Sequence, residues 1–322
     1  MKRLFQGSST LLLFLISSVF IVCLFYLTYN TYGNWLFALN LRGKRLIAFV
    51  LVGIATAFST ISFQTMTNSQ FLTPNILGLD SLYILIQTGI FFFFRRIGTL
   101  ENFSTGLFFL NVLLMVGMSL FLAKFLLGKR QNDLFLLLMI GMILGTFFNS
   151  ISTFLQVMMN PNEHEQLQGK LFASFGNVNS QHLMIAGILI LCLILCLWIQ
   201  STSLDVLHLG KDQAMNLGID VPKFQLGLII IISTLIGLST ALVGSITFLG
   251  FIVANTTYQL VNTYKHQQLF IIGSLVAILF LVLGQFLIEQ IFQLNATLST
   301  VIEFIGGLYF VFKIIGERKQ QK

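Results

Sequence analysis

Two short polar stretches interrupt an otherwise apolar chain, and they hold most of the chemistry the sequence can do. The first is Arg42-Gly43-Lys44-Arg45. Its two guanidiniums are planar donor forks of the kind that take a carboxylate through two parallel hydrogen bonds. A lipid headgroup is the other anion that such a cluster holds. The second runs from Leu207 to Val221. It reads as a short amphipathic helix ending at Gly218, a helix-stop residue, with Leu207, Ala214 and Leu217 near one face. That segment is either an interfacial loop helix or a docking helix for a partner on its side of the membrane.

Catalytic constellations are missing. No Gly-x-x-x-x-Gly-Lys-Ser/Thr loop is present to cradle nucleotide phosphates, and no His-Glu-x-x-His to hold zinc. His164, His182, His208 and His266 are scattered over loops and span ends, and no nucleophile, base and orienting group stand together. Cys23, Cys192 and Cys196 lie inside apolar runs without metal-type spacing and read as buried thiols. An enzyme is not expected, nor is a resident cofactor or metal. Nucleic acid is not an expected partner either, because the basic residues form no clustered face on a soluble fold.

Composition says what must position the two polar stretches. The 322 residues are 56% hydrophobic and only 9% charged, with a net charge of +7. A soluble domain is nearer a quarter charged, so the chain reads as an all-α polytopic membrane protein, a single transmembrane domain over 1–322. Apolar runs fall at about 1–29, 46–66, 82–94, 103–127, 134–158, 183–201, 226–243, 246–262, 268–288 and 296–315. About ten spans result, because a crossing takes roughly 20 apolar residues. The third is short and the seventh and eighth barely separate, so nine crossings also fit. Pro74, Pro161 and Pro222 all fall between runs, where a missing N–H is tolerated. Gly141 and Gly145 form a Gly-x-x-x-Gly in the fifth run, a pattern suited to close packing.

With Lys2 and Arg3 inside, ten spans put both termini in the cytoplasm. Twelve of the eighteen basic residues then lie inside, in keeping with the positive-inside rule. The other six, Arg42, Lys44, Arg45, Arg95, Arg96 and Lys170, lie outside. The Arg42–Arg45 cluster is therefore on the wrong side and wants a reason. Acids within spans are costly and face a cavity or a partner. Glu303, in the last run, either lines a pathway, pairs with a base or sits protonated at a dimer interface.

From Arg42 to Asp80 the chain resembles the permease subunits of iron-chelate (siderophore) ABC importers, the family that includes the cobalamin permease. That family opens span two with Arg-x-Pro-Arg, follows it with a helix carrying a Gln, and then has Asn-Pro-Leu-Ala-x-Pro-x-x-Leu-Gly. Here stand Arg42 and Arg45, Gln64, and Pro74 with Leu77-Gly78; Ser69-Gln70 replace the Asn-Pro. Leu209-Gly210, Ala214, Leu217-Gly218 and Ile219 keep the spacing of the family's cytoplasmic loop. Gly244, Ile246, Phe248 and Gly250 resemble its next motif, with Ala254-Asn255 where the family has Pro-His. Gly306 and Phe310 are what the last helix retains. These departures are similar to a subgroup of petrobactin- and anguibactin-type permeases.

The resemblance implies a type II ABC importer permease fold in the bacterial cytoplasmic membrane. It implies two ATPase subunits, an extracytoplasmic substrate-binding protein, a second permease in a homo- or heterodimer, and ferric siderophore as substrate. Arg42 and Arg45, with Lys44 between them, would dock the binding protein, while a third family arginine aligns with Glu289. The loop at 203–224, through Leu209, Gly210, Ala214, Leu217 and Gly218, would couple to the ATPase. Gln64, Pro74, Gly78, Thr247, Phe248, Gly250 and Glu303 are the pathway or gating candidates, the motif residues among them being equally suited to packing. A secondary transporter driven by an ion gradient is the rival. It would show inverted repeats, and no convincing repeat is present.

Overall fold

A computed structural model describes residues 8–29, 35–94, 104–127, 134–171, 174–176, 178–261, 263–290 and 297–320. Lys2, Arg3, Arg95, Arg96, Lys129, Arg130, Asn295, Ala296 and Lys322 lie outside the described residues. The described elements are helical: α1 (Ser8–Thr28), α2 (Trp35–Thr67), a 3-10 turn (Pro74–Leu77), α3 (Leu79–Phe94), α4 (Ser104–Leu127), α5 (Leu134–Val157), α6 (Pro161–Leu171), α7 (Ser180–Ile199), α8 (Ser201–Leu207), α9 (Lys211–Asn216), α10 (Val221–Val243), α11 (Leu249–Leu260), α12 (His266–Gln290) and α13 (Leu298–Gln320). Each apolar run finds a helix. The prolines behave as the spacing predicts: Pro74 starts the 3-10 turn, Pro161 starts α6 and Pro222 stands in the first turn of α10, where an amide proton has no partner to lose.

Six helices are long and apolar enough to cross a membrane alone: α1, α2, α5, α7, α10 and α12. The eighth run is built differently from the others. Read as a span over 246–262, it holds the 12-residue α11, about 18 Å of helix against roughly 30 Å of hydrocarbon, with an irregular stretch leading into it. Its residues Leu249–Asn255 are nonetheless buried. In the irregular segment before it, Gly244 is buried and residues 245–248 are partly buried. Non-helical backbone is tolerated at membrane depth only in such surroundings.

The helices sort into two layers. α2, α10 and α12 are mostly buried, whereas α1, α5 and α7 are mostly exposed and turn Phe14, Phe20, Phe154, Met184 and Ile199 outward. Cys192 and Cys196 belong to that outward face of α7 and Cys23 is half-buried, so the thiols read as buried are not. A hydropathy run cannot separate a lipid-facing apolar position from a core one.

The core is organised by α2 running along α12. A Cβ on Gly53 would stand 3.2 Å from Ile278, and one on Gly273 would stand 2.8 Å from Ile61. Between these points Phe58 and Phe270 stack at 4.1 Å. Lipid tails are as apolar as leucine, so helices associate in a membrane through close packing of this kind. Gly141 and Gly145 serve packing too, against the 3-10 turn: a Cβ on Gly141 would stand 2.9 Å from Leu77 Cα.

Candidate functional site

Three groups of side chains carry the candidate chemistry. At one end of the α2–α12 pair, the Arg42 guanidinium donates to the carbonyls of Tyr26 and Tyr29 at the end of α1 and lies over the Tyr26 ring. A cation at a helix C-terminus meets both the orphan carbonyls and the negative end of the dipole. Arg45 pairs with Glu289 of α12 at 2.8 Å, with only 20% and 12% of the two side chains exposed. Glu289 also accepts from Tyr26 and Gln285. The acid where the family pattern has a third arginine thus neutralises one of the other two. Lys44 is exposed. It shares with Arg45, Phe175 and Gly176 a concavity of about 300 Å³.

At the other end of the same pair, His266 bridges two elements. Its Nδ1 is 2.6 Å from Asp205 Oδ1 of α8, its Nε2 is 2.7 Å from Thr65 Oγ1 of α2, and its backbone N–H donates to Asp205. The ring is 1% exposed. This acid–histidine–hydroxyl line resembles a catalytic triad in bonding order, but it joins helices, and its threonine is 7% exposed. The sequence reading missed it because Asp205, His266 and Thr65 are far apart in the chain. The available signal was that Asp205 and His266 both stand at the edge of apolar runs.

The segment expected to form one amphipathic helix from Leu207 holds α9 alone: Leu207 ends α8, and Gly210, at φ +111°, breaks the chain before α9. Gly218, at φ +89°, ends α9 in a Schellman arrangement: Ile219 N–H donates to Ala214 and Gly218 N–H to Met215. Asp220 then caps α10 and pairs with Lys223 at 2.7 Å, and the hydrogen bonds from Lys223 hold its carboxyl below the usual range. Leu207 and Ala214 are buried, but Leu217 is not on their face. It is 64% exposed, with Leu209 at 57% and Met215 at 49%. The break at Gly210 resets the helical register, so a periodicity counted from Leu207 does not reach Leu217.

The third group lies where α2, the 3-10 turn, α10–α11 and α13 converge. Gln64 donates to the Gln70 carbonyl at 2.8 Å, and Asn255 donates to the same oxygen at 3.3 Å. The two departures from the family pattern, Ser69-Gln70 and Ala254-Asn255, therefore touch. Pro74 opens the turn and Gly78, at φ +79°, closes it against Gly141 and Gly145. Asn75 reaches the Thr247 carbonyl at 3.4 Å, and the Thr247 hydroxyl donates to Glu303 at 3.3 Å. Phe248 fills the notch at Gly306, and Thr60 fills the one at Gly250. The pathway candidates are thus brought together, apart from Gln64, which is tied to the next loop. Among the described residues Glu303 has no basic partner within ion-pair distance. Asp80, at the head of α3, was not among the expected residues. It joins this group as a carboxylate beside Ser245 and Thr247.

Residues 7–316 match the model of the FecCD transport family. The chain is 43% identical to the petrobactin import system permease protein YclO of Bacillus subtilis, covering 93% of this chain and 95% of the relative. It is 33% identical to the petrobactin import system permease protein FatC of Bacillus anthracis, over 85% and 77%. A solved structure described as an inward-facing conformation of a metal-chelate type ABC transporter superposes with a TM-score of 0.84 at 23% identity, covering 96% of this chain and 99% of that one. The fold is that of an ABC importer permease, and the chain belongs to the FecCD transport family.

Proposed function

We propose that this chain is the transmembrane permease subunit of an ATP-driven importer that moves ferric siderophore across the bacterial cytoplasmic membrane. The observation that carries the reading is the 43% identity to a petrobactin import permease along nearly the whole of both chains. Separate ATPase subunits, two per assembly, supply the energy, and an extracytoplasmic binding protein delivers the substrate. A second permease, the same chain or a paralogue, completes the pathway.

Both termini face the cytoplasm. α9 and its flanks then form the coupling surface, with Leu209 and Leu217 presented to a cleft of the ATPase, Ala214 anchoring the helix from beneath, and Gly210 and Gly218 fixing its ends. Nucleotide-driven movement of that surface tilts the spans and switches access. On the opposite side, Lys44 and Arg42 receive carboxylates of the binding protein. Arg45 contributes with its charge already balanced by Glu289, so Lys44 carries more of the docking than the sequence pattern implies. Gln64, Pro74, Gly78, Thr247, Phe248, Gly250 and Glu303 border the route of the chelate.

Reconstitution in proteoliposomes with the ATPase and binding protein tests the reading. ATP-dependent uptake of ferric petrobactin or a related siderophore is expected. Uptake that persists without the ATPase and follows an imposed ion gradient would overturn it in favour of a secondary transporter.

A further inference from the structure

The junction of α2, α3 and α10 encloses a cavity of about 30 Å³, the room of one water molecule or one small ion. Asp80, Thr60, Asn75, Thr240 and Thr247 are among the residues that line it, and no Lys, Arg or His does. Both Asp80 carboxylate oxygens have less than 1 Å² of accessible surface, although the residue as a whole is only partly buried, and neither oxygen has a hydrogen-bond partner. Ser245 Oγ is likewise buried and unpartnered.

We propose that this cavity is a binding site for a small monovalent cation, held by the Asp80 carboxylate and the oxygens of Thr60, Thr247 and Ser245.

Charge drives the inference. A carboxylate withdrawn from water needs a counter-charge, and breaking or omitting that partner is strongly unfavourable. At membrane depth the requirement is stricter. The neighbouring donors cannot meet it, because the hydroxyls of Ser245 and Thr247 beside the carboxylate carry no charge. A hydroxyl carries one proton, and Thr247, which also reaches Glu303, keeps a lone pair for the cavity. Ser59 and Thr56 direct their protons to backbone carbonyls. The Asn75 amide donates to the Thr247 carbonyl. A water molecule would fill the space without supplying charge, and the nearest ionisable neighbour is a second acid, Glu303.

The donor set narrows the ion. The polar side chains around the cavity, the Asn75 amide apart, present oxygens, which suit hard cations. One carboxylate with neutral oxygens is too little negative charge for calcium, whose sites bring several carboxylates and six to eight ligands. Among the described residues no group of three His, Cys, Asp or Glu is assembled for a heavier metal. The backbone agrees. The cavity lies between two interruptions of helix, the turn at Pro74–Leu77 and the extended link at Gly244–Phe248, and unwound backbone between helices is where secondary transporters hold small cations.

Thermal unfolding of the full chain in lipid nanodiscs tests this without any transport assay. Chloride salts of sodium, potassium and N-methyl-glucamine are compared at constant ionic strength. Wild type should show a saturable rise in Tm with sodium or potassium that N-methyl-glucamine does not produce. Asp80→Asn keeps the shape and removes the charge, so it should fold with a Tm indifferent to the cation. Thr60→Val, which keeps the carboxylate, should shift the half-saturating sodium concentration upward by roughly 10-fold or more. Direct binding of radioactive sodium to wild type and its loss in Asp80→Asn give a readout independent of unfolding. A wild-type Tm that ignores sodium and potassium would mean that Asp80 simply carries a proton, and would overturn the proposal. An equal cation response in Asp80→Asn would do the same.

Discussion

The α2–α12 pair and the α2–α3–α10 junction share one helix but handle buried charge in opposite ways. Along α2–α12, charge is paired at both ends: Arg45 with Glu289 at one, His266 with Asp205 and Thr65 at the other. Arg45 and Thr65 are about 20 residues apart on α2, roughly 30 Å of helix, which matches the hydrocarbon thickness. The polar ties therefore sit at the two interfaces, with glycine, Phe58 and Phe270 packing between them. At the junction an acid faces neutral side chains, with no base among those lining the cavity, and the backbone around it is irregular. The paired ends fix two helices at a set register. The unpaired acid marks the place where something else, an ion in our reading, completes the structure.

Breaking a paired end should produce the largest effect. Glu289→Ala leaves Arg45 mostly buried without its counter-ion and removes the acceptor of Tyr26 and Gln285. A loss of about 2–4 kcal/mol is expected, at the lower end because both side chains keep some solvent. Unfolding of the detergent-solubilised protein reads it. The double variant Arg45→Met with Glu289→Leu should recover most of the loss, and failure to recover would mean that the pair stabilises through more than its mutual attraction.

Gly78→Ala probes the junction through its backbone. The residue lies at φ +79°, and a Cβ there would stand 3.0 Å from the Gly141 carbonyl oxygen and 3.2 Å from Gly145 Cα. Strain of about 1–3 kcal/mol follows. The turn carries Asn75, which holds the Thr247 carbonyl, so uptake should fall further than stability alone explains. Equal falls in the two measurements would reduce the turn to packing.

Much of this architecture is legible in the sequence and some of it is not, for identifiable reasons. Hydropathy locates ten helices because lipid-facing and core positions are both apolar. For the same reason it misjudges Cys192 and Cys196. Gly-x-x-x-Gly at 141–145 announces a close contact, but its partner, the Pro74–Gly78 turn, is a tertiary fact. The Arg42–Arg45 cluster is visible; the pairing of Arg45 with an acid 244 positions away is not. Asp80 hides at the edge of an apolar run, where an acid looks like an ordinary helix-start residue. Its isolation emerges only when the cavity beside it is seen to be lined by no base.

The His266 end should be softer than the Arg45 end. Asp205→Asn preserves a hydrogen-bonding oxygen for the ring but removes the charge, and a loss of about 1 kcal/mol is expected. Its value lies in a second readout. Asp205 belongs to α8, two residues before the buried Leu207 and immediately upstream of the proposed coupling surface. If this tie relays movement, Asp205→Asn lowers substrate moved per ATP hydrolysed. If the tie is as static as the one at Glu289, stability falls and that ratio does not change.

The smallest effect on stability should come from the coupling surface itself. Leu209 and Leu217 are more than half exposed, so Leu209→Ser and Leu217→Ser remove little packing, and changes within about 0.5 kcal/mol are expected. In the proposed assembly the ATPase covers these apolar side chains. Co-purification of the ATPase should therefore drop sharply in the double variant while its melting curve stays near wild type. The contrast with Ala214 sharpens the point. That residue is fully buried, and Ala214→Leu should disturb folding first and ATPase capture only in consequence. A pair of leucine variants that unfolds early yet captures the ATPase normally would reverse the roles assigned to the two faces of α9.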